Sequence, residues 1–336
     1  MREPLKLEQQ AIVAALRTQY GLSVSSLSFL PLGSDSASAA YRVDADDAAT
    51  YFLKVRTAEG FRVASLAVPH YLYGQGVPNI VAPLPAIAQT LWVRADGFRL
   101  SLYPFIHGRI GAHVGLTKQQ WRTMGTITKR IHASVLTPEL LQLVRREPYI
   151  PSRRDVLSRL EAAIAQGDWA DPVQHELGAF WQSREEEIRM LVRRADVMGR
   201  QLRQASLPLV LCHADLHTWN VLLDEADGLW LVDWDDTLLA PKERDLMFVV
   251  GGIGRDLVSP EETSCFFQGY GKTALDPQAL VYYRYAWAVQ DVGAYGERVF
   301  FTPGLSEESR RDALRSFMDL FEPGNIVAIA FACDSA

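Results

Sequence analysis

The stretch His213-Ala214-Asp215-Leu216-His217-Thr218-Trp219-Asn220, followed by Asp233-Trp234-Asp235, decides the fold class of this 336-residue chain. Each segment comes directly after an apolar run that predicts a buried strand, residues 209–212 before the first and 228–232 before the second. Polar groups at the ends of such strands are held rigidly and meet in space. An aspartate, an asparagine five residues later and a second aspartate are therefore predicted to share one site.

These side chains suit phosphoryl transfer from a nucleotide to a hydroxyl group. In that reaction the protein positions the reactants and neutralises phosphate charge, while an aspartate accepts the hydroxyl proton and Mg²⁺ bridges phosphate oxygens. Asp215 is the candidate base, and Asn220 and Asp233 offer the hard oxygen ligands that suit Mg²⁺. The pattern predicts a kinase that uses ATP or GTP together with Mg²⁺.

A second interpretation of the same stretch is a metallohydrolase. His213, Asp215 and His217 alternate along the chain, so on an extended segment they would share one face. Imidazoles with a carboxylate make a good transition-metal site. The remaining histidines are scattered singly and add no ligand cluster, so the kinase interpretation is favoured and the hydrolase stays open.

Composition restricts the partners of the chain. The net charge of -6 argues against a nucleic-acid or anionic-membrane surface and is compatible with a cationic small molecule. Three cysteines without zinc-site spacing predict reduced thiols in the cytoplasm. The N-terminal run is polar and amphipathic, unlike a signal core, and no apolar run approaches the roughly 20 residues that cross a bilayer.

The periodicity along the chain predicts an α+β protein with two lobes. A leading helix at 5–20 precedes strands at 28–32, 40–43, 51–55, 90–94 and 98–103, with Asp96-Gly97 as a hairpin turn. Helical patterns cover 60–74, the run from Thr117 onward, 152–166, 173–204, 279–300 and 306–321. We therefore predict a small antiparallel-sheet lobe at 1–105, a hinge at 101–108, and a larger, mostly helical lobe at 106–336.

The stretch from His213 to Asn220 resembles the His-x-Asp-x-x-x-x-Asn motif of aminoglycoside phosphotransferases and their protein-kinase-like relatives. The run from Asp233 to Phe248, the segment from Tyr103 to His107 and the closing run from Asn325 to Ala332 are similar to the spectinomycin-directed branch of that family. The resemblance covers nearly the whole chain. It implies a bilobal protein-kinase-like fold with ATP between the lobes, and an aminocyclitol or aminoglycoside acceptor.

Carried over residue by residue, the resemblance assigns Asp215 as the base, His213 as a brace of the catalytic loop, and Asn220 and Asp233 as magnesium ligands. The strand lysine that binds the α- and β-phosphates matches Lys54. Further residues are implied at the nucleotide: Ser34 and Ser36 in the covering loop, Tyr103 and Phe105 near the adenine, and Glu59 as the acid nearest to Lys54.

The chain departs from the family pattern at three places. The covering loop at 32–38 has a single glycine, so its serines must do more of the phosphate binding. The helix glutamate that pairs with the lysine is missing from its usual place, which leaves Glu59. Trp219 stands where many relatives have a small residue, and it is predicted to line the mouth of the site. Acids that would complement an acceptor amine are predicted at Asp35, Asp235 and Asp291.

The sequence thus predicts an ATP-dependent phosphotransferase acting on a hydroxyl of an antibiotic such as spectinomycin. Kinases of one fold accept many substrates, so a sugar, an amino alcohol or another hydroxylated metabolite is the alternative acceptor. A catalytically silent nucleotide-binding module is a further alternative, because the loop is poor in glycine and the helix glutamate is missing. The sequence is compatible with a monomer or a homodimer.

Overall fold

The structure of the chain is a computed structural model that describes residues 4–33, 37–167, 169, 171–254 and 258–333. The chain divides into two compact units. The first unit consists of residues 1–145 and 213–237, and the second of residues 146–212 and 238–336. The segment that carries the predicted catalytic residues thus belongs to the same unit as the N-terminal sheet. The lobe boundary between residues 105 and 106 stays a prediction.

A five-stranded antiparallel sheet forms the N-terminal part of the first unit. Its strands are β1 (Val24–Leu30), β2 (Ser38–Ala45), β3 (Thr50–Arg56), β4 (Val93–Ala95) and β5 (Phe98–Pro104). The strands lie in the order β1-β2-β3-β5-β4. Asp96 and Gly97 join β4 to β5 with φ of 43° and 84°, the left-handed conformation that an Asp-Gly hairpin turn requires. The predicted hairpin is confirmed.

The two faces of this sheet differ in chemistry because side chains alternate along each strand. One face packs its apolar residues, among them Leu53 and Val55, into a core that includes Ile12 and Leu16 from the leading helical segment. The other face carries Lys54 and Arg56 from β3, and β5 adds Ser101 directly opposite Lys54. One face of the sheet therefore stabilises the unit, and the opposite face presents charge.

The remaining elements are short strands and thirteen helices within the described residues. The strands are β6 (Gly108–Ile110), β7 (Val210–Cys212), β8 (Val221–Asp224), β9 (Leu229–Leu231) and β10 (Leu238–Ala240). The helices are α1 (Gln9–Ala15), α2 (Ala64–Gly74), α3 (Gly111–Val114), α4 (Lys118–His132), α5 (Pro138–Leu143), α6 (Arg154–Gln166), α7 (Pro172–Ser183), α8 (Glu185–Ala205), α9 (Glu243–Leu246), α10 (Pro260–Tyr270), α11 (Pro277–Phe300), α12 (Glu307–Asp319) and α13 (Ile326–Ala332). A π-helical turn, Leu16–Tyr20, continues α1.

A second antiparallel sheet of the first unit positions the segment that carries the predicted site residues. Its strands lie in the order β6-β8-β9, so the hairpin of β8 and β9 is fixed by pairing with β6. Gly108 of β6 lies opposite Asp224 of β8, and a Cβ atom at Gly108 would stand 2.1 Å from the carbonyl oxygen of Leu223. Only glycine permits this approach of the two backbones.

We expect Gly108→Ala to destabilise the protein, because the added methyl group forces β6 away from β8. Overpacking of this kind costs about 1–3 kcal/mol. The midpoint of thermal unfolding should therefore fall by at least ~2 °C. Gly74→Ala is the matched control, since no heavy atom lies within 4 Å of a Cβ at Gly74. Equal midpoints for the two variants would contradict the packing argument.

The second unit is built around α11. This helix packs against α6, α8, α12 and α13, and it buries Tyr282, Tyr283 and Tyr285. The helix predicted over 173–204 is two helices, because the backbone at Arg184 leaves the helical region with φ of -117° and ψ of 10°. In this unit the helices α9, α10 and α13 are additions to the prediction. In the described part of the chain, every helix is too short or too polar to span a membrane.

Candidate active site

His213 and the backbone around it join the two segments that carry the predicted site residues. His213 is fully buried, and its Nε2 lies 3.0 Å from the carbonyl oxygen of Val232, to which it donates. Its Nδ1 accepts the backbone N–H of Asp215 at 3.3 Å. One imidazole thus ties the residue before Asp233 to Asp215. This geometry agrees with the bracing role predicted for His213. Because both ring nitrogens form hydrogen bonds with the main chain, neither is available to bind a metal ion, as the hydrolase interpretation would require.

Two residues in these segments adopt a left-handed backbone that side chains usually avoid. Ala214 has φ of 70° and Asp233 has φ of 62°. Such conformations cost on the order of 1–3 kcal/mol and cluster at functional sites, where the surroundings enforce them. They occur here on the residue before Asp215 and on Asp233 itself. The strained backbone therefore includes one predicted site residue, Asp233, and the direct neighbour of another, Asp215.

The carboxylate of Asp215 is held at both oxygens. Its Oδ1 lies 2.9 Å from Nε2 of His217, and its Oδ2 accepts a hydrogen bond from Nδ2 of Asn220 at 2.6 Å. Burial acts to raise the pKa of Asp215, but the nearby imidazoles of His217 and His213 and the hydrogen bond from Asn220 together outweigh it and lower that pKa. Asp215 is therefore ionised near neutral pH and fixed in orientation. The sequence pattern indicated His217 only as a ligand in the metallohydrolase interpretation, and its position two residues after Asp215 was the available signal for this contact.

Asn220 and Asp233 each have one side-chain oxygen that makes no hydrogen bond within the described residues and could bind a hard cation. The amide nitrogen of Asn220 donates to the carboxylate and to the backbone carbonyl of Asp215, so its Oδ1 points away from both. Asp233 contacts Lys54 through Oδ1 only, and its side chain is 42% exposed. Within the described residues, neither Asn220 Oδ1 nor Asp233 Oδ2 accepts a hydrogen bond. Carboxylate and amide oxygens of this kind are the ligands that Mg²⁺ takes.

Lys54 and Arg56, whose side chains are mostly buried, form an ionic cluster with the Asp233-Trp234-Asp235 segment. Lys54 Nζ donates to Asp233 Oδ1 at 2.8 Å and to Asp235 Oδ2 at 2.7 Å. Arg56 Nη2 donates to Asp235 Oδ1 at 2.6 Å. Burial acts to raise the pKa of Asp235, but the charges of Lys54 and Arg56 outweigh it and hold that pKa far below its usual range. Asp235 is therefore ionised near neutral pH.

The cluster changes two expectations. Within the described residues, Lys54 takes both of its ion pairs from this segment, while Glu59 is exposed in a turn before α2 and makes no ion pair with Lys54. Asp235 has a cation on each oxygen and therefore differs from the open acid that an acceptor amine would need. Arg56 was missed by sequence reasoning. Its signal was the two-residue alternation of β3, which places Arg56 on the face that carries Lys54.

Aromatic residues stand at the end of β5, where the adenine is predicted. The Tyr103 ring meets Phe52 edge-on with centroids 6.2 Å apart. The Phe105 ring lies 5.0 Å from that of His107 and carries the Arg42 guanidinium at 5.2 Å. Burial raises the pKa of Tyr103 despite the nearby charges of Arg56 and Lys54, so its phenol stays neutral. The adenine contacts of Tyr103 and Phe105 stay predictions.

Of the remaining predicted residues, Trp219 has an informative position. It lies in the short 3-10 turn Thr218–Asn220 directly before Asn220, is 47% exposed, and meets the ring of His113 edge-on at 4.9 Å. Trp219 and His113 therefore form an exposed aromatic pair, and Trp219 directly precedes Asn220 in the chain. Asp291 lies half-buried in α11 of the second unit. Ser34, Asp35 and Ser36 lie outside the described residues.

Comparisons with known proteins agree with this geometry. Residues 28–283 match the model of the phosphotransferase enzyme family. The chain is similar to spectinomycin phosphotransferase in complex with ADP and spectinomycin, at 29% identity and a TM-score of 0.83 over 98% of this chain and 100% of that one. A complex of spectinomycin phosphotransferase with AMP gives 30% identity and a TM-score of 0.79 over 96% of this chain and 98% of that one.

A more distant likeness supports the fold alone. A microcompartment-associated aminopropanol kinase is 18% identical, with a TM-score of 0.61 over 98% of each chain. The predicted α+β fold of the protein-kinase-like type, with its antiparallel N-terminal sheet and helical C-terminal part, is confirmed. The chain therefore belongs to the phosphotransferase enzyme family, as a small-molecule kinase that uses a nucleotide and an alcohol acceptor.

Proposed function

We propose that this enzyme transfers the γ-phosphoryl group of ATP to a hydroxyl of an aminocyclitol antibiotic, with spectinomycin as the first candidate, in a reaction that requires Mg²⁺. The observation that carries the proposal is the joint arrangement of Asp215, Asn220, Asp233 and Lys54 in a single compact unit. These residues supply a base, two oxygen ligands and a phosphate-binding cation. Because the reaction consumes ATP, the proposal includes a cytoplasmic location.

The base in the proposed mechanism is Asp215. As the acceptor hydroxyl attacks the γ-phosphorus, its proton passes to the carboxylate of Asp215 and its oxygen forms the new P–O bond. His217 and Asn220 keep the carboxylate in one orientation through the contacts at its two oxygens. A fixed base reduces the reorganisation needed to reach the transition state.

The phosphate groups need positive charge, which the proposal assigns to Lys54 and to Mg²⁺ held by Asn220 and Asp233. When bound, the ion would neutralise charge on the phosphate oxygens as transfer proceeds. Lys54 would bind the α- and β-phosphates from β3, and His213 would keep the segments of Asp215 and Asp233 in register through Val232. ADP is the product and the acceptor leaves as a phosphate ester.

The choice of acceptor follows from the likeness to spectinomycin phosphotransferase along the whole chain. A cationic aminocyclitol also agrees with the net charge of -6. Trp219, with His113 against its ring, is the candidate wall for the body of the acceptor. Asp291 and Asp35 remain the proposed acids for its amines, and the open alternative is an amino alcohol, a sugar or another hydroxylated metabolite.

A coupled assay of ADP release tests the proposed acceptor. Purified enzyme with ATP and Mg²⁺ is offered spectinomycin, aminoglycosides, amino alcohols and sugars, and we expect saturable ADP release with spectinomycin above the acceptor-free rate. Saturable turnover with a metabolite and none with spectinomycin would reverse the assignment. Nucleotide binding without turnover on any acceptor would favour the silent module, and ATP-independent hydrolysis would favour the metallohydrolase.

A further inference from the structure

The carboxylate of Asp235 bridges the two cations of β3. Its Oδ2 lies 2.7 Å from Lys54 Nζ and its Oδ1 lies 2.6 Å from Arg56 Nη2. The Lys54 side chain is 15% exposed, the Arg56 side chain 2% and the Asp235 side chain 33%. The bridge connects residues that are 179 and 181 positions apart in the chain. It therefore fixes the Asp233-Trp234-Asp235 segment to the charged face of the sheet.

Strand geometry explains why one carboxylate can serve both cations. Lys54 and Arg56 are two residues apart on β3, so their side chains leave the sheet on the same face. Ser101 of β5 lies opposite Lys54, and Arg99 lies opposite Arg56. Asp235 is not part of this sheet, and each of its carboxylate oxygens contacts one of the two cations. Arg56 thus fixes the oxygen that Lys54 does not use.

Stability alone is a weak reason for a buried arginine at position 56. A buried ion pair replaced by apolar residues of similar volume often loses no stability, because the desolvation of the charges is avoided. The buried guanidinium of Arg56 carries this desolvation cost. Its Nε and Nη1 also make no hydrogen bond within the described residues. Its only ion pair is with Asp235, again within those residues. The position of Arg56 therefore favours a role that depends on Asp235.

Lys54 needs a permanent carboxylate partner if it is to hold phosphate in one place. In protein kinases, the strand lysine is positioned by a glutamate from a helix, and Glu59 does not take this position here. Asp233 also contacts Lys54 through Oδ1, but its other oxygen is assigned to the cation in the proposed function, so this carboxylate would be shared with the ion. Asp235 is the carboxylate that remains, because its other oxygen is already fixed by Arg56.

We propose that Arg56 is a positioning residue that holds Asp235 on Lys54, so that Asp235 replaces the helix glutamate as the partner of the phosphate-binding lysine. The inference rests on the proposed role of Lys54 at the nucleotide. It assigns Asp235 to the nucleotide side of the reaction. It also assigns a function to Arg56, which acts through Asp235 and Lys54 without touching substrate.

ADP binding in the presence of Mg²⁺, measured by titration calorimetry, tests the inference in a double-mutant cycle of Arg56→Met and Lys54→Ala. We expect Arg56→Met to weaken ADP binding about tenfold when Lys54 is present and less than about twofold when Lys54 is alanine, as for coupled neighbours. Equal losses in both backgrounds, or no loss in either, would overturn the inference. Since ADP binding needs no acceptor, a wrong assignment of the acceptor leaves this test intact.

The same cycle separates the inference from the role of Lys54. If Lys54→Ala leaves ADP affinity unchanged, the proposed function of Lys54 fails, whereas a loss with Lys54→Ala and none with Arg56→Met overturns the inference alone. Arg56→Lys keeps the charge and should recover most of the affinity. Arg99→Met is the matched control, because Arg99 lies on the same face but contacts Gly97 and the Trp92 ring.

Asp235→Asn provides a second route if Arg56→Met folds poorly. Asparagine keeps the shape of the side chain but leaves Arg56 buried without its carboxylate, so thermal stability should fall together with ADP affinity. Adding Arg56→Met to Asp235→Asn removes the uncompensated charge. We expect that double variant to regain thermal stability without regaining ADP affinity. Recovery of both would show that Asp235 and Arg56 act only in folding, and would overturn the inference.

Discussion

Replacing Asp215 with asparagine is expected to lower kcat by at least ~10²-fold, the low end for loss of a positioned base. Asparagine has the size of aspartate and can keep a contact with Asn220, but its amide cannot accept the proton of the hydroxyl. The KM for ATP should change little, because the contacts of Asp215 are with His217 and Asn220. Steady-state kinetics of ADP release with the acceptor found in the screen measures both quantities.

The control for this variant is Asp227→Asn. Asp227 belongs to the same chain segment, has a 73% exposed side chain and pairs with Arg109 at the surface. Its φ of 60° is a conformation that asparagine tolerates. We expect normal turnover from this control. Normal turnover from Asp215→Asn as well would remove Asp215 from the reaction and, with it, the base of the proposed mechanism.

Asp233→Asn is expected to lower kcat by ~10²–10³-fold at a fixed Mg²⁺ concentration, because one anionic ligand of the proposed cation becomes neutral. Asparagine is the correct substitution here, since Asp233 has a φ of 62° that alanine would occupy only with strain. The Mg²⁺ concentration that gives half-maximal activity should rise. A Mg²⁺ titration of the initial rate for wild type and variant measures this change.

Loss of the Asp233 carboxylate also affects Lys54, so the titration needs a control. Asp236→Asn is suitable, because Asp236 stands three residues later, is 43% exposed and pairs with Arg145. We expect this control to keep the wild-type dependence on Mg²⁺. If the Asp233→Asn enzyme has a lower kcat but an unchanged Mg²⁺ requirement, Asp233 supports Lys54 and is not a ligand of the cation.

The sequence predicted the parts of the site that depend on local geometry. Asp215 and Asn220 stand five residues apart in one loop, and the β8-β9 hairpin brings Val232 and Asp233 beside them. Short-range spacing and the apolar runs before each segment were sufficient to predict this proximity. The hairpin at Asp96-Gly97 was predictable for the same reason, because its dipeptide favours left-handed backbone.

The partner of Lys54 could not be predicted in this way. Its carboxylates lie about 180 residues further along the chain, and no local period relates β3 to the segment after β9. The search near Lys54 therefore gave Glu59, which the structure places in an exposed turn. The interruption of the helix at Arg184 could not be predicted either, because the charged helical pattern of residues 173–204 continues through that position.

The product of the reaction tests the central claim most directly. Wild-type enzyme and Asp215→Asn are each incubated with ATP, Mg²⁺ and spectinomycin, and the antibiotic is recovered for mass spectrometry. The account predicts that wild-type enzyme adds one phosphoryl group to spectinomycin and releases one ADP per product, while Asp215→Asn forms almost none in the same time. Unmodified spectinomycin from a folded, ADP-binding wild-type enzyme would contradict it.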